Sequence, residues 1–240
     1  MADAPATAME TPIERVDAFA DLGVLAFTTT RDAGTFGLSG TDPVGEVMGR
    51  WATLLRDLAG DARGICVAPQ VHGSTVLAHG APWEGFLRTR PADGHATMER
   101  GLALAVTIAD CAPVFIAHPS GAVAIAHSGW RGTEAKIVHE AIRVLAKGGL
   151  APDELRVHVG PAICGRCYEV SADVRARLTG EPANRPGHVD IRSLIAEDAR
   201  AAGVQEITVS PYCTRCDNDR FYSHRAGDAG RQIAVIVAPV

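Results

Sequence analysis

A chain of 240 residues, 47% of them hydrophobic, is long enough to bury a sizeable core within one large domain. Its net charge of −5 argues against the clustered Lys and Arg of a nucleic-acid-binding surface. No run reaches the roughly 18 uninterrupted apolar residues that a membrane span requires.

Residues 1–18 lack the basic n-region and apolar run of a signal peptide and read as a disordered tail; residues 19–240 read as one domain, expected in the cytoplasm. Apolar runs predict strands over 24–29, 64–68 and 75–78, with a helix over 44–58. Strands over 103–108, 114–118 and 123–126 follow in close succession, then a helix over 134–147 with Thr133 as N-cap and Gly148-Gly149 as stop. Beyond it come a strand over 156–159, helices over 172–178 and 191–202, the second capped by Asp190, and strands over 206–209 and 233–237. Adjacent strand runs, rather than a strict strand-helix alternation, point to an α+β fold with mixed sheets.

Three metal-ligand residue types stand in Gly-rich or turn-rich words: His72 in Gln-Val-His-Gly, Cys111 in Ala-Asp-Cys-Ala-Pro, and His127 in Ala-His-Ser-Gly-Trp-Arg-Gly. Two imidazoles and one thiolate are a borderline-soft set, and three protein ligands leave a tetrahedral Zn²⁺ with an open position, the arrangement of a catalytic site. Taken singly, each residue reads equally as a core or surface side chain.

Six cysteines fit a reducing compartment. Cys164-Gly-Arg-Cys167 and Cys213-Thr-Arg-Cys216 form two Cys-x-x-Cys pairs, which elsewhere mark structural zinc, though with shorter gaps between the pairs. A second metal and free thiols both stay open. Cys66, inside a predicted strand, reads as core.

The segments Gln70-Val71-His72-Gly73, Ala109-Asp110-Cys111-Ala112-Pro113, His127-Ser128-Gly129-Trp130-Arg131-Gly132-Thr133, Gly160-Pro161-Ala162-Ile163, Cys167-Tyr168-Glu169-Val170 and Phe221-Tyr222-Ser223-His224-Arg225 resemble, in order, the motifs of the YfiH-like family. This is the laccase-domain or polyphenol oxidase family, associated with purine nucleoside phosphorylases. The resemblance implies a single layered α/β/β/α domain related to the catalytic domain of cytotoxic necrotizing factor. It also implies a zinc enzyme that phosphorolyses adenosine, inosine and methylthioadenosine and deaminates adenosine, with purine nucleosides and phosphate as partners and no nucleic acid or membrane. The family motifs put the metal ligands at His72, Cys111 and His127.

Around them, Asp110 is expected to orient a ligand imidazole, move a proton or cap a turn, and Gln70 to hydrogen-bond the base. Arg131, beside a helix N-terminus, and Arg225 are expected to bind phosphate or ribose oxygens, or else to be structural or solvated. This chain departs from the family at Phe36-Gly37-Leu38-Ser39-Gly40, at Gly49-Arg50 and at Arg225-Ala226, where relatives carry Ser-Leu-Asn-Leu-Gly, Asn-Arg and Arg-Arg.

Three other readings compete. A copper phenol oxidase fits the family's older name, yet a multicopper oxidase needs His-x-His pairs and none occurs among the nine histidines. A Cys-His hydrolase would use Cys111 as nucleophile and His127 as base on an amide such as a cell-wall precursor peptide. A non-catalytic binding module would tolerate Cys111→Ala.

Overall fold

A computed structural model describes residues 9–80 and 83–240. In chain order it has β1 (Ile13–Arg15), β2 (Leu25–Thr29), α1 (Val44–Asp57), β3 (Gly64–Val67), β4 (Val76–His79), β5 (Gly85–Arg88), β6 (Gly94–Thr97) and β7 (Leu102–Ile108). There follow β8 (Ala112–Ala117), β9 (Val123–Ser128), α2 (Trp130–Glu134), α3 (Ile137–Lys147), β10 (Arg156–Val159) and β11 (Glu169–Val170). The chain closes with α4 (Ala172–Thr179), β12 (Gly187–His188), α5 (Ile191–Ala201), β13 (Glu206–Val209) and β14 (Gln232–Val237).

Two mixed six-stranded sheets, ordered β1-β2-β14-β7-β3-β5 and β13-β10-β8-β9-β6-β4, pack face to face. Because side chains alternate along a strand, each central strand feeds two cores. Leu104, Val106 and Ile108 point between the sheets to meet Phe115, Val123 and Ile125, while Ala103 and Ala105 face Trp51 and Leu54 of α1. On the far side, Val114, Ile116, Ala124 and Ala126 pack under Ile137, Ala141 and Leu145 of α3 and Ile195 and Ala199 of α5. The result is the expected α/β/β/α layering, and it explains why the central strands read as unbroken apolar runs.

Two expectations are corrected. Ile13–Arg15, assigned to the tail, is a strand paired antiparallel with β2 through Ile13↔Thr29 and Arg15↔Phe27; residues 1–8 of that tail lie outside the described residues. The helix expected over 134–147 with a Thr133 cap is two helices, broken at Lys136 in the left-handed region (φ 59°). Thr133 lies inside α2, its hydroxyl donating to the Gly129 carbonyl (3.0 Å) and bonded to Ser128 Oγ (2.9 Å), so it caps nothing. The anion site expected at that helix start has only a five-residue α2 behind it. Asp190 does cap α5, accepting from Arg192 N at 3.1 Å.

Candidate metal centre

The pairing of β8 with β9 aligns Pro113 with His127 and Ala112 with Ser128, which sets Cys111, one residue before β8, beside the end of β9. Asp110 (φ 80°) turns the chain into that position. From the other sheet, the turn after β3 brings in His72, itself left-handed at φ 60°. The three ligand atoms lie within 4.8 Å of one another. The His72 and His127 rings meet edge to face, with centroids 4.9 Å apart. Gly129 leaves the room they need, since a Cβ there would stand 2.8 Å from Cys111 Sγ and 3.5 Å from His72 Cδ2.

Asp93, with no exposed surface, holds this arrangement. One oxygen accepts from His127 Nδ1 (3.0 Å) and His72 N (2.8 Å); the other accepts from Gly73 N (2.8 Å) and Val71 N (3.2 Å). It therefore orients one imidazole through its side chain and shapes the loop of the other through the backbone, as carboxylates behind metal-bound histidines do. Burial works to raise its carboxyl, but His127 and the Gly73 and Val71 amides outweigh burial and hold it below its usual value.

Burial likewise works to raise the Cys111 thiol, but the charges and hydrogen bonds of His127 and His72 bring it down to about 6. His127 is pushed down by burial and, more strongly, up by Cys111 and Asp93, reaching about 9. A thiolate beside two imidazoles is a donor set suited to a borderline-soft divalent metal.

A cleft of about 460 Å³ opens onto the centre. His72, Cys111 and His127 all belong to its lining, which also includes Gly37–Gly40, Arg88, Thr107, His224 and Arg231.

The other expected residues divide. Gln70 lines the cleft, but its amide is committed to Thr107, accepting from N and Oγ1 (both 2.8 Å) and donating from Nε2 to the carbonyl (2.7 Å). Asp110 contacts neither imidazole: Oδ1 accepts from Thr214 Oγ1 (2.6 Å) and Oδ2 from Arg225 N (2.7 Å). It acts as a loop clamp, and Asp93 takes the orienting position. Arg131 and Arg225 are absent from the cleft wall; their guanidiniums lie over Trp130 (4.4 Å) and Tyr168 (5.0 Å). Buried Tyr168, pushed up to about 12 by burial and by the nearby Cys111 charge, stays a protonated phenol.

With this geometry, the comparison with known proteins is decisive about kinship. The family model described as multi-copper polyphenol oxidoreductase laccase matches residues 28–239. The chain belongs to that family. A purine nucleoside phosphorylase of Streptomyces coelicolor is 38% identical over 204 residues, covering 81% of this chain and 83% of that one. An adenosine deaminase from an unknown prokaryotic organism is 29% identical over 232 residues, covering 85% and 88%. The crystal structure of the hypothetical protein YfiH from Bacillus licheniformis shares the fold, with a TM-score of 0.83 at 24% identity, covering 98% and 97%.

In this member of the laccase family, sequence reasoning passed over Asp93, Tyr168, Arg88, His224 and Arg231. Asp93 precedes Gly94 and reads as a turn residue. Tyr168 stands inside a quoted motif without a role, and an isolated Arg carries no local signal. A second trio, Cys66, His79 and His95, also gathers within 4.8 Å, with His79 Nε2 and His95 Nδ1 3.0 Å apart. Burial pushes the Cys66 thiol up to about 12 and, with the charge of His79, the His95 ring down to about 3. Both are neutral, as the core reading of Cys66 expects.

Proposed function

We propose that this protein is a zinc-dependent purine nucleoside phosphorylase that also deaminates adenosine. The observation that carries the reading is the His72–Cys111–His127 triad in the lining of a cleft of about 460 Å³, within the roughly 300–1,000 Å³ of small-molecule sites. Relatives named purine nucleoside phosphorylase and adenosine deaminase support it.

His72, Cys111 and His127 would hold the ion, and the donor set fits it: two imidazoles, one thiolate and a carboxylate behind His127. When bound, zinc supplies Lewis acidity and a water of lowered pKa, the chemistry needed for displacement at C6 of adenine. Phosphorolysis relies on charge and positioning at the ribose. Arg88 and Arg231 offer positive charge from the cleft wall to a phosphate, and Arg231 is steadied by donating to the Ala229 and Gly230 carbonyls (3.1 and 2.7 Å). Arg225 and Arg131, outside the cleft wall, both bring positive charge near Tyr168. Tyr168 keeps its proton beside them. Gln70 stiffens the wall through Thr107, and Asp110 keeps Arg225 docked.

The test is turnover of inosine and adenosine with and without phosphate, alongside zinc content, for wild type and Cys111→Ala. Phosphate-dependent release of base that disappears with Cys111 is the expected result. A metal-free protein without nucleoside turnover would overturn the reading. It would favour a Cys-His hydrolase, for which the lowered Cys111 pKa is the supporting observation. Phenol oxidation that follows bound copper at the same triad would favour the oxidase that the family description names.

A further inference from the structure

We infer that Cys164, Cys167, Cys213 and Cys216 bind a structural zinc ion, separate from the His72–Cys111–His127 centre. The four sulfurs lie within 4.8 Å of one another, with Cys167 Sγ and Cys216 Sγ 3.4 Å apart, and all four cysteines are free. Zinc–sulfur bonds of about 2.3 Å at tetrahedral angles set sulfurs about 3.8 Å apart, so closure on an ion needs only small side-chain adjustments. An iron–sulfur cluster interposes inorganic sulfide and would hold the thiolates farther apart.

The long sequence gap between the two Cys-x-x-Cys pairs is cancelled by the fold. Strands β10 and β13 are parallel neighbours in register, Val159 opposite Val209, so the loops leaving them emerge from the same sheet edge. Each loop makes a tight turn, with Cys167 N donating to the Cys164 carbonyl (2.9 Å) and Asp217 N to the Cys213 carbonyl (2.8 Å). Backbone amides point at sulfur, Cys164 N and Cys216 N both donating to Cys213 Sγ (3.2 and 3.4 Å). Such amides favour a thiolate over a thiol.

Arg166 and Arg192, together with Asp190 and Asp217, line the cleft around Cys164, Cys213 and Cys216. Arg215, between the last two cysteines, donates to the Cys167 carbonyl at 3.3 Å, tying one knuckle to the other.

The ion would staple the two loops that grip Asp110, next to Cys111. Ile163 N donates to the Asp110 carbonyl (3.0 Å) and Thr214 Oγ1 to its carboxylate (2.6 Å), while Thr214 N reaches the Ala162 carbonyl (3.3 Å). The cluster thus buttresses the chain that carries a ligand of the first centre without touching it.

The decisive experiment is zinc content and zinc-edge X-ray absorption of Cys111→Ala and His72→Ala, each of which disables the other centre. One zinc per chain with four sulfur neighbours at about 2.3 Å is expected. No zinc, a mixed sulfur and nitrogen shell, or a Cys167–Cys216 disulfide in the purified chain would overturn the inference. The Cys167→Ser/Cys216→Ser variant should lose one zinc relative to wild type and melt at lower temperature; if it does not fold, the absorption spectra of the two single variants still decide. Because the sulfur-only zinc is read in proteins lacking the first centre, it stands or falls independently of nucleoside turnover.

Discussion

At the residue scale, the candidate site depends on two residues outside the cleft lining, Asp93 and Gly129. Asp93 holds both His127 and the His72 loop, so Asp93→Asn, which puts an amide nitrogen among its four N–H partners, should weaken metal binding at the triad by roughly 10- to 100-fold in competition with a chelator. Gly129 matters for what it lacks: in Gly129→Ala the new methyl would press on Cys111 Sγ at 2.8 Å. That variant should lose metal and turnover together while its melting temperature in the presence of a chelator changes little. His72, Cys111 and His127 were legible in the sequence because each sits in a turn-rich word of metal-ligand type. Asp93 was not, since an Asp before a Gly carries the signature of any turn, and only its burial and four hydrogen bonds reveal its role.

At the scale of elements, segments with a clear apolar pattern were readable, four-residue strands such as β3 and β10 among them, and segments without one were not. Helix α1 follows its predicted span to within a residue because Val47, Trp51 and Leu54 recur on one face, all buried against the first sheet. Leu54→Ala there should cost about 2–5 kcal/mol in urea unfolding. Strands β5 and β6 went unpredicted: Gly85–Arg88 offers only Phe86 and Leu87 side by side, and Gly94–Thr97 carries almost no apolar signal. The α2–α3 break was missed because Lys136 has no local reason to be left-handed.

At the scale of the whole molecule, the double sheet buries ionisable groups that set its response to acid. Burial holds His158 down at about 4, and burial with the charge of His79 holds His95 at about 3, against 6.5 for an ordinary histidine. Below pH 6.5 the unfolded chain takes up protons that the folded chain refuses. Stability should therefore fall with pH by up to about 1.4 kcal/mol per unit for each histidine, leveling off for His158 near 4 and for His95 near 3. Urea midpoints measured from neutral pH downward check this; a flat profile would contradict the neutral histidines. The amino-acid sequence by itself determined the α+β class, most central strands, the helices that pack outside them and the three candidate ligands, because apolar periodicity and ligand chemistry are local properties. Only the tertiary structure decided that Asp93 stands behind His127, that Gln70 turns to Thr107, and that four cysteines from two distant loops meet. Those outcomes depend on strand register and on parallel pairing across long stretches of chain, which no local window of sequence contains.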